Sequence, residues 1–507
     1  MTISVSHPPP DPSPDQSRFP APIYAETVLG PNFRITQRLF LNALLELHYA
    51  HTLMLAKQGI VSAGIARRCL EGLDKLDRAA LSTVEYDGET EDLFFHIEAR
   101  LAEAAGVENT GYMHLARSRN DIAITLYRMR LREEILGLST ELTAVRAALL
   151  VLAREHIATL MPAYTHTQPA QPITFAHYLL AVIEIMGRDV RRLQAAWRTV
   201  NCSPLGACAI ATTGFPIDRY YTAGLLGFEE LQLNSYGAIA ATDYLTETAG
   251  AISVAMINLG RVAQDFLLWC TAEFGFLRLS GAWVQISSIM PQKRNPVAFE
   301  HVRMIGSKAL AQAGGVLTVL HNTPFGDIND AEDGLMPLVF GATHDAGRAL
   351  RLFRGIMSEG CEVRTDRMAA RAHADFLTVT ELADTLVRRE SVSFHDAHGL
   401  VSAAVSALQG DYSPEATVDA VCALAPQFFG RDLRTARAEL VLALDPAHFV
   451  AIRGIPGGPA REAVEPALAA AAEDVDQARL WITEKTRVLA AYPVKIRAAV
   501  EALNRLA

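Results

Sequence analysis

The sequence contains little of what zinc-binding and disulfide-rich proteins need. Its 507 residues include six cysteines, none close enough to another to form a CxxC pair, and no HExxH string. A familiar kind of zinc site is therefore not predicted. Few, scattered cysteines in a long chain are typical of reduced thiols in an intracellular protein.

Membrane-spanning and secretory signals are also missing. No uninterrupted apolar run reaches about 18 residues, and the N-terminus has no basic stretch followed by an apolar one. The net charge is −10, from 46 basic and 56 acidic residues. We therefore expect a cytoplasmic protein with no nucleic acid and no membrane as partner, in which a local cationic pocket can still bind a small anion.

The motifs of three common enzyme classes are absent as well. The chain has no GxGxxG, no GxxxxGK and no GxSxG string, so dinucleotide-fold, phosphate-loop and hydrolase interpretations lose their main support. Aromatic residues make up only 7% of the chain, and strand-like alternation is scarce. Chemistry is therefore expected at helix ends and loops.

What dominates the chain is helical periodicity in segments rich in Ala, Leu, Arg and Glu. The long helical segments that the pattern predicts are 35–57, 121–155, 173–199, 236–273 and 297–321. The turn-rich segments that it predicts are 107–112, 201–219, 274–296, 323–337 and 453–459. Because 236–273 is apolar all round, it must be buried among other helices, which predicts a long bundle.

The first polar string, ARSRND at 116–121, stands at the start of a predicted long helix. Asn120 or Asp121 can cap that helix. Arg119 can bind a carboxylate through two hydrogen bonds, assisted by Ser118 and the helix-start amides. The plain alternative is a polar helix cap with two solvated arginines.

The second string is YTHTQPAQP at 164–172, whose two prolines keep the segment extended. Thr165, His166 and Gln168 place three polar side chains in a short stretch. A histidine there can act as an acid or base near neutral pH. The alternative is a hydrogen-bonded loop histidine without a catalytic role.

The third string is QISSIMPQKRNP at 285–296. Asn295 and Pro296 are typical of the N-cap and first position of the helix that follows. The helix start and Lys293 together make a positive field that favours a substrate carboxylate or a serine alkoxide. Small residues at 274–288 predict a mobile lid. An ordinary basic loop is the alternative.

In this order, the three strings resemble those of the fumarase/aspartase superfamily, and most closely its argininosuccinate lyase branch. SSIMPQKRNP is similar to the superfamily signature loop, and the other two strings are similar to conserved regions of the branch. The similarity spans roughly residues 35 to 465. It implies an all-α, three-domain subunit in a homotetramer, with each active site assembled from three subunits around a shared helical bundle.

The division of the chain that follows from the resemblance has a Pro-rich tail and four helical parts. Residues 1–22 hold seven of the 24 prolines, which predicts a disordered tail. The helical parts are an N-terminal domain at 23–116, a central bundle at 117–364, a C-terminal domain at 365–464 and an extension at 465–507. Pro493 predicts a break in that extension.

Enzymes of this branch split an N-substituted aspartate into fumarate and an amine. The resemblance implies Ser287 as the base that removes the Cβ proton, with Lys293 stabilising its alkoxide. It implies His166, supported by Glu300, as the acid for the leaving nitrogen. The binding residues that it implies are Ser118, Arg119, Asn120, Thr165, Gln168, Asn295 and Ser288, the last also a weaker candidate for the base. The substrate is a small dicarboxylate with an amine group, and no metal or organic cofactor is needed.

Two positions near the implied fumarate site depart from the pattern of the branch. Phe94 stands where the branch usually has a histidine, and His96 lies two residues further on. Ile286 replaces the glycine before the serine pair, a change that we expect to slow or restrict the loop.

The string at 323–337 departs further. The branch has a tyrosine, a glutamine and a lysine that face the arginine part of the substrate, and this chain has Gly326, Ala331 and Gly334 there. The segment 327–333 contains four acidic residues and no basic one. The amine half of the site therefore differs from the branch pattern, whereas the fumarate half matches it.

Several functions fit these observations. The main prediction is a carbon–nitrogen lyase of the argininosuccinate type, acting on arginine or on another amine: a diamine, an amino acid or a hydrazine-type compound of specialised metabolism. A catalytically silent structural member of the family is one alternative. Others are an adenylosuccinate lyase, a cycloisomerase, or a helical scaffold for protein partners.

Overall fold

The computed structural model describes residues 19–505. The predicted disordered tail at 1–22 lies mostly outside these residues, and at its end Pro22 begins the first helix. The described chain is all-α with only short strands, as the sequence predicts.

The N-terminal region is a set of short helices around one long helix. Its helices are α1 (Pro22–Tyr24), α2 (Gly30–Lys57), α3 (Ala63–Lys75), α4 (Arg78–Thr83), α5 (Leu93–Ala105) and α6 (Val107–Met113), with a π-helical turn at Ala25–Leu29. The turn predicted at 107–112 is wrong, because α6 occupies it. Gly106, with φ +89°, is the single residue between α5 and α6 and changes the chain direction there, since glycine adopts positive φ without steric cost.

The central region is a bundle of long helices. Its helices are α7 (Arg119–Glu155), α8 (Phe175–Val200), α9 (Arg219–Leu225), α10 (Ser235–Ala240), α11 (Asp243–Trp269), α12 (Val297–Leu320) and α13 (Met336–Gly355). The helix predicted at 236–273 is therefore two helices. The backbone turns extended at Ala241 (ψ 127°), just before Thr242 and Asp243, residue types that favour helix starts over helix interiors.

Within the C-terminal region, the four helices between residues 379 and 443 form a core of their own. The helices of this region are α14 (Thr365–Ala372), α15 (Val379–Glu390), α16 (Phe394–Ala407), α17 (Pro414–Phe429), α18 (Arg437–Ala443), α19 (Pro446–Ala451) and α20 (Arg461–Arg505), after a π-helical turn at Ile356–Gly360. Leu382, Leu400, Val421 and Leu440 form a core separate from the one that the N-terminal helices share with the bundle.

Helix α20 returns from the C-terminal domain and packs along the bundle. The break predicted at Pro493 is wrong, because α20 continues through it. Contacts near this proline hold the helix in place: Tyr492 packs on Gly227, and Arg497 donates to Asp74 at 2.8 Å. We attribute the continuous helix to this packing, which offsets the hydrogen bond that a proline removes.

The strands form two-stranded sheets between the helices. They are β1 (Leu160–Thr165), β2 (Gln168–Thr174), β3 (Cys202–Ser203), β4 (Glu230–Leu231), β5 (Leu277–Leu279), β6 (Gln285–Ile286), β7 (Arg294–Asn295) and β8 (Cys361–Val363). The pairs β1–β2 and β6–β7 are antiparallel hairpins, and β5 pairs with β8. Their turns carry the second and third polar strings, and the start of α7 carries the first.

Two bundle helices, α7 and α11, are long and apolar enough to cross a membrane by length and composition alone. In this fold, 61% of the most apolar stretch of α7 and 44% of that of α11 are buried. Core helices of a bundle need the same composition, so the finding is weak evidence for a membrane span.

Candidate active site

The first polar string is fixed by a reciprocal cap at the start of α7. Ser118 is the N-cap: its Oγ accepts from the Asn120 N–H at 3.4 Å, and its own N–H donates to Asp121 Oδ1 at 2.9 Å. The predicted N-cap is therefore wrong for Asn120, whereas Asp121 takes part in capping as the third helical residue of a capping box whose N-cap is Ser118. Ser118 precedes the helix, so its hydroxyl reaches an N–H group of the first turn. The Asp121 carboxylate, one turn further on, accepts the Ser118 N–H in return.

Asp121 also ties a second loop to this helix start. Its Oδ2 accepts from the N–H groups of Gly206 at 2.8 Å and Cys208 at 2.9 Å, and Asn120 Nδ2 donates to Ala209 O at 3.2 Å. Burial raises the pKa of Asp121 to about 6, although the three backbone N–H groups that it accepts oppose the rise. Apart from the position of Asp121 in the string, no local pattern indicated that this carboxylate is buried.

Arg119 is held at one end of its guanidinium group. Nη1 lies 2.9 Å from Asp92 Oδ2 and 2.9 Å from Glu91 Oε1, and the group stands 5.0 Å from the centroid of the Phe95 ring. Within residues 19–505, no hydrogen bond of Nε or Nη2 is recorded. The pair with Asp92, which the sequence reasoning missed, therefore orients the guanidinium and leaves a two-donor edge for a carboxylate.

The acidic string of the amine half lies beside Arg119. Asp333 accepts from the Tyr127 hydroxyl at 2.6 Å and from Thr36 Oγ1 at 3.0 Å. It shares a cleft with Arg119, Asp92 and Phe94. Burial and the nearby charges of Asp327 and Asp333 raise the pKa of Glu332 to about 7.

The second polar string forms the turn of the β1–β2 hairpin. Thr165 pairs with Gln168, and the two residues between them, His166 and Thr167, have φ of +51° and +63°. Thr165, His166 and Gln168 are all exposed in the single subunit. Consecutive non-glycine residues at positive φ are costly and collect at functional sites.

The third polar string forms the loop of the β6–β7 hairpin. Ser287 Oγ accepts from the Met290 N–H at 3.1 Å and from the Ile289 N–H at 3.4 Å. The predicted capping role of Asn295 is wrong: Asn295 pairs with Gln285 in the hairpin, which holds it away from the helix start. Helix α12 begins at Val297 without a side-chain cap, and the Phe299 N–H of its first turn donates to Pro296 O at 3.1 Å.

An aromatic anchor at the base of this hairpin was not predicted. Trp283 lies so close to Gly355 and Gly360 that a Cβ atom at either glycine would stand 2.8 or 2.7 Å from the indole ring. Arg294 Nη2 also donates to Leu279 O at 2.8 Å. The ends of the loop are therefore fixed, while Ile286, Ser288 and Lys293 are exposed.

One subunit brings together only part of the predicted site. Arg119 shares a cleft with the acidic string, but among residues 19–505 no hydrogen bond or ion pair links the first, second and third strings. Glu300 is exposed on α12 and makes no recorded contact with His166. Across the same residues, no group of three or more His, Cys, Asp or Glu side chains is placed to hold a metal ion.

This fold, with one partly buried and two exposed polar strings on a helical bundle, is that of the fumarase/aspartase-type lyases. The family model described as "Lyase" matches residues 32–311, and the model described as "Argininosuccinate lyase C-terminal" matches residues 376–451. The chain belongs to the argininosuccinate lyase-like branch of this superfamily, and it is a carbon–nitrogen lyase that produces fumarate.

Named relatives agree with this assignment. Argininosuccinate lyase 2 of Agrobacterium fabrum is 42% identical over 460 residues, which cover 90% of this chain and 91% of that protein. Argininosuccinate lyase 1 of Shouchella clausii is 37% identical over 86% of this chain and 88% of that protein. The structure of an EDDS lyase variant with bound fumarate has a TM-score of 0.82 at 29% identity, covering 93% of this chain and 95% of that one.

Proposed function

We propose that Ser287 is the base of an anti elimination that splits an N-substituted aspartate. The observation that carries this assignment is the pair of backbone N–H groups donated to Ser287 Oγ by Met290 and Ile289. Hydrogen bonds to a charged oxygen favour the charged form and lower its pKa. Ser287 is thus better prepared than Ser288 to become an alkoxide, and Lys293 on the same loop adds positive charge.

In this elimination, one proton leaves carbon and one proton reaches the departing nitrogen. Ser287 takes the proton from Cβ, the C–H electrons form the C=C bond of fumarate, and the C–N bond breaks with its electrons on nitrogen. His166, on its exposed turn, gives a proton to that nitrogen directly or through water, with Glu300 as its supporting carboxylate. Positive charge from Arg119 stabilises the carboxylate on which negative charge develops. The remaining binding residues that we assign are Ser118, Asn120, Thr165, Gln168, Ser288 and Asn295.

The three strings meet when subunits associate, and we propose a homotetramer with composite sites. Apolar side chains on the bundle are exposed in the single subunit, among them Ile257 on α11 (48%) and Met304 on α12 (54%). We assign these exposed apolar positions on the bundle helices to the subunit interface. We further propose that the protein is soluble and cytoplasmic.

Mixing two inactive variants tests whether sites are composite. Arg119→Met and Ser287→Ala chains, co-expressed in equal amounts, are expected to recover up to about a quarter of the wild-type sites, because Arg119 and Ser287 come from different subunits. The measurement is fumarate release by purified mixed tetramers. Mixing Ser287→Ala with Lys293→Met is the matched control: both changes lie on one loop of one subunit, so no recovery is expected. Recovery in neither mixture would contradict composite sites.

The amine released together with fumarate is arginine or a different amine. Arginine is one candidate. A different amine is favoured by Gly326, Ala331 and Gly334, which offer no side-chain donors or acceptors where the branch contacts arginine. Two carboxyl groups of the acidic string, Asp327 and Glu332, lie close enough to Arg119 to interact with its charge. They suit an amine with a second cationic group, such as a diamine.

A panel of N-substituted aspartates separates these candidates. If the amine has changed, fumarate release from argininosuccinate is expected to have kcat/KM at least about tenfold below that for another member of the panel. The measurement is steady-state fumarate release, with amine addition to fumarate as the reverse assay. Turnover of argininosuccinate above all other substrates would exclude a changed amine. Activity on no substrate would favour the catalytically silent alternative.

A further inference from the structure

Phe94 stands between the substrate cleft and a buried polar pair. It is the second residue of α5, is 5% exposed, and lines the cleft that contains Arg119 and Asp333. On its other side, its ring centroid lies 5.8 Å from that of His48 and 5.5 Å from the Arg117 guanidinium. One face of the cleft is therefore an aromatic ring rather than the charged groups behind it.

The groups behind Phe94 hydrogen-bond to each other, although His48 Nε2 and Arg117 Nε are buried without a partner among the described residues. Arg117 Nη1 donates to His48 Nδ1 at 2.7 Å, and Arg117 Nη2 lies 3.4 Å from Glu98 Oε1. Burial and the nearby Arg117 charge hold the pKa of His48 well below its usual range, so the imidazole is neutral and can accept this hydrogen bond. Arg117 therefore interacts with His48 and Glu98, and the Phe94 ring separates these groups from the cleft.

The rest of the cleft floor is apolar as well. The buried apolar side chains that line it together with Phe94 are Phe40, Leu44, Ile122 and Leu126, and buried Tyr127 also lines it with its hydroxyl donated to Asp333. Of the polar groups at its edge, Asp333 already accepts from Tyr127 and Thr36, and Asp92 accepts from Arg119. A substrate group that enters the cleft between Asp92 and Asp333 therefore contacts apolar side chains. A polar group there would lose its hydrogen bonds to water without gaining a protein partner.

We propose that Phe94 determines amine specificity: the carbon substituent next to the amine nitrogen packs on its ring, so the enzyme selects amines whose first carbons are apolar. This inference rests on the proposed function, because Arg119 places the succinyl half at the edge of the same cleft. A distal cationic group on the amine remains compatible with it, since Asp327 and Glu332 lie outside the apolar floor.

The test compares amines of equal length in the addition to fumarate. Butylamine carries only apolar carbons, and 2-methoxyethylamine has the same number of chain atoms with an ether oxygen in place of the third carbon. We expect the wild type to prefer butylamine in kcat/KM. Phe94→His is expected to lower that preference by about tenfold, since one buried polar mismatch is worth that much in a binding site. Phe94→Leu, which stays apolar, is expected to keep it within about threefold.

Phe33→His is the matched control for the loss of a buried aromatic ring. Phe33 is also buried in the N-terminal region and packs edge-on against His96, but it does not line the cleft. The Phe33→His enzyme should keep the wild-type preference for butylamine, although its thermal stability should fall about as much as that of Phe94→His. If Phe94→His does not fold, Phe94→Tyr gives the same comparison. An unchanged preference in a folded Phe94→His or Phe94→Tyr enzyme overturns the inference. Failure of the wild type to add any amine counts against the proposed function itself.

Discussion

Replacing Ser287 by alanine is expected to lower kcat for fumarate release by about 10³-fold, within the range that a positioned general base contributes. Alanine cannot take the Cβ proton, whereas the groups that bind the two carboxylates remain. KM should therefore change little. Ser287 lies on a hairpin loop outside the hydrophobic core, so the melting temperature is expected to stay within about 1 °C of the wild type.

The neighbouring serine provides the control. Ser288 has the same side chain but is exposed, and no hydrogen bond to its Oγ is recorded among residues 19–505. Ser288→Ala removes an assigned binding contact but no base, so it should retain kcat within about threefold and act mainly on KM. Initial rates from the ultraviolet absorbance of fumarate, with thermal unfolding of each variant, measure both. A Ser288→Ala enzyme that is as inactive as Ser287→Ala, or an active Ser287→Ala enzyme, would assign the base elsewhere.

Helical periodicity predicted the long helices because their apolar faces are set by local spacing. The segments at 121–155, 173–199 and 297–321 are each helical within two residues of the predicted ends. The errors occur where a single residue or tertiary packing decides. Gly106 makes a corner in place of a predicted turn, and α20 stays continuous through Pro493 because neighbouring residues pack against the bundle.

The site shows the same division. The three polar strings were visible in the sequence, but their hydrogen bonds were not, because the choice of cap depends on where the backbone leaves the helix. Ser118 caps α7, and Asn295 is held in a hairpin. The pairing of Arg119 with Asp92, and the approach of Asp333 to Tyr127, join residues 27 and 206 positions apart. Such contacts follow from the packing of α7 against the start of α5 and against the turn before α13, and local sequence carries no signal for them.

Arg119 is the residue whose loss should most weaken substrate binding. Arg119→Met is expected to lower kcat/KM by about 10²- to 10³-fold, because a charge-assisted, two-donor contact to a carboxylate is lost at a partly buried site. Methionine keeps much of the side-chain length and apolar stem. The inhibition constant of added fumarate should rise alongside KM, since product and substrate share that carboxylate.

Two companion variants separate binding from orientation. Arg119→Lys keeps the charge but offers a point donor, so we expect it to recover about tenfold of the loss. Asp92→Asn keeps a hydrogen-bond acceptor for Nη1 but removes its charge. It is expected to raise KM by about tenfold or less, because the guanidinium is less firmly oriented while its free edge remains. If Asp92→Asn instead lowers KM, Asp92 competes with the substrate for Arg119, and the ion pair is a resting state that binding must break. An Arg119→Met enzyme with unchanged KM and unchanged fumarate inhibition would remove Arg119 from the carboxylate site.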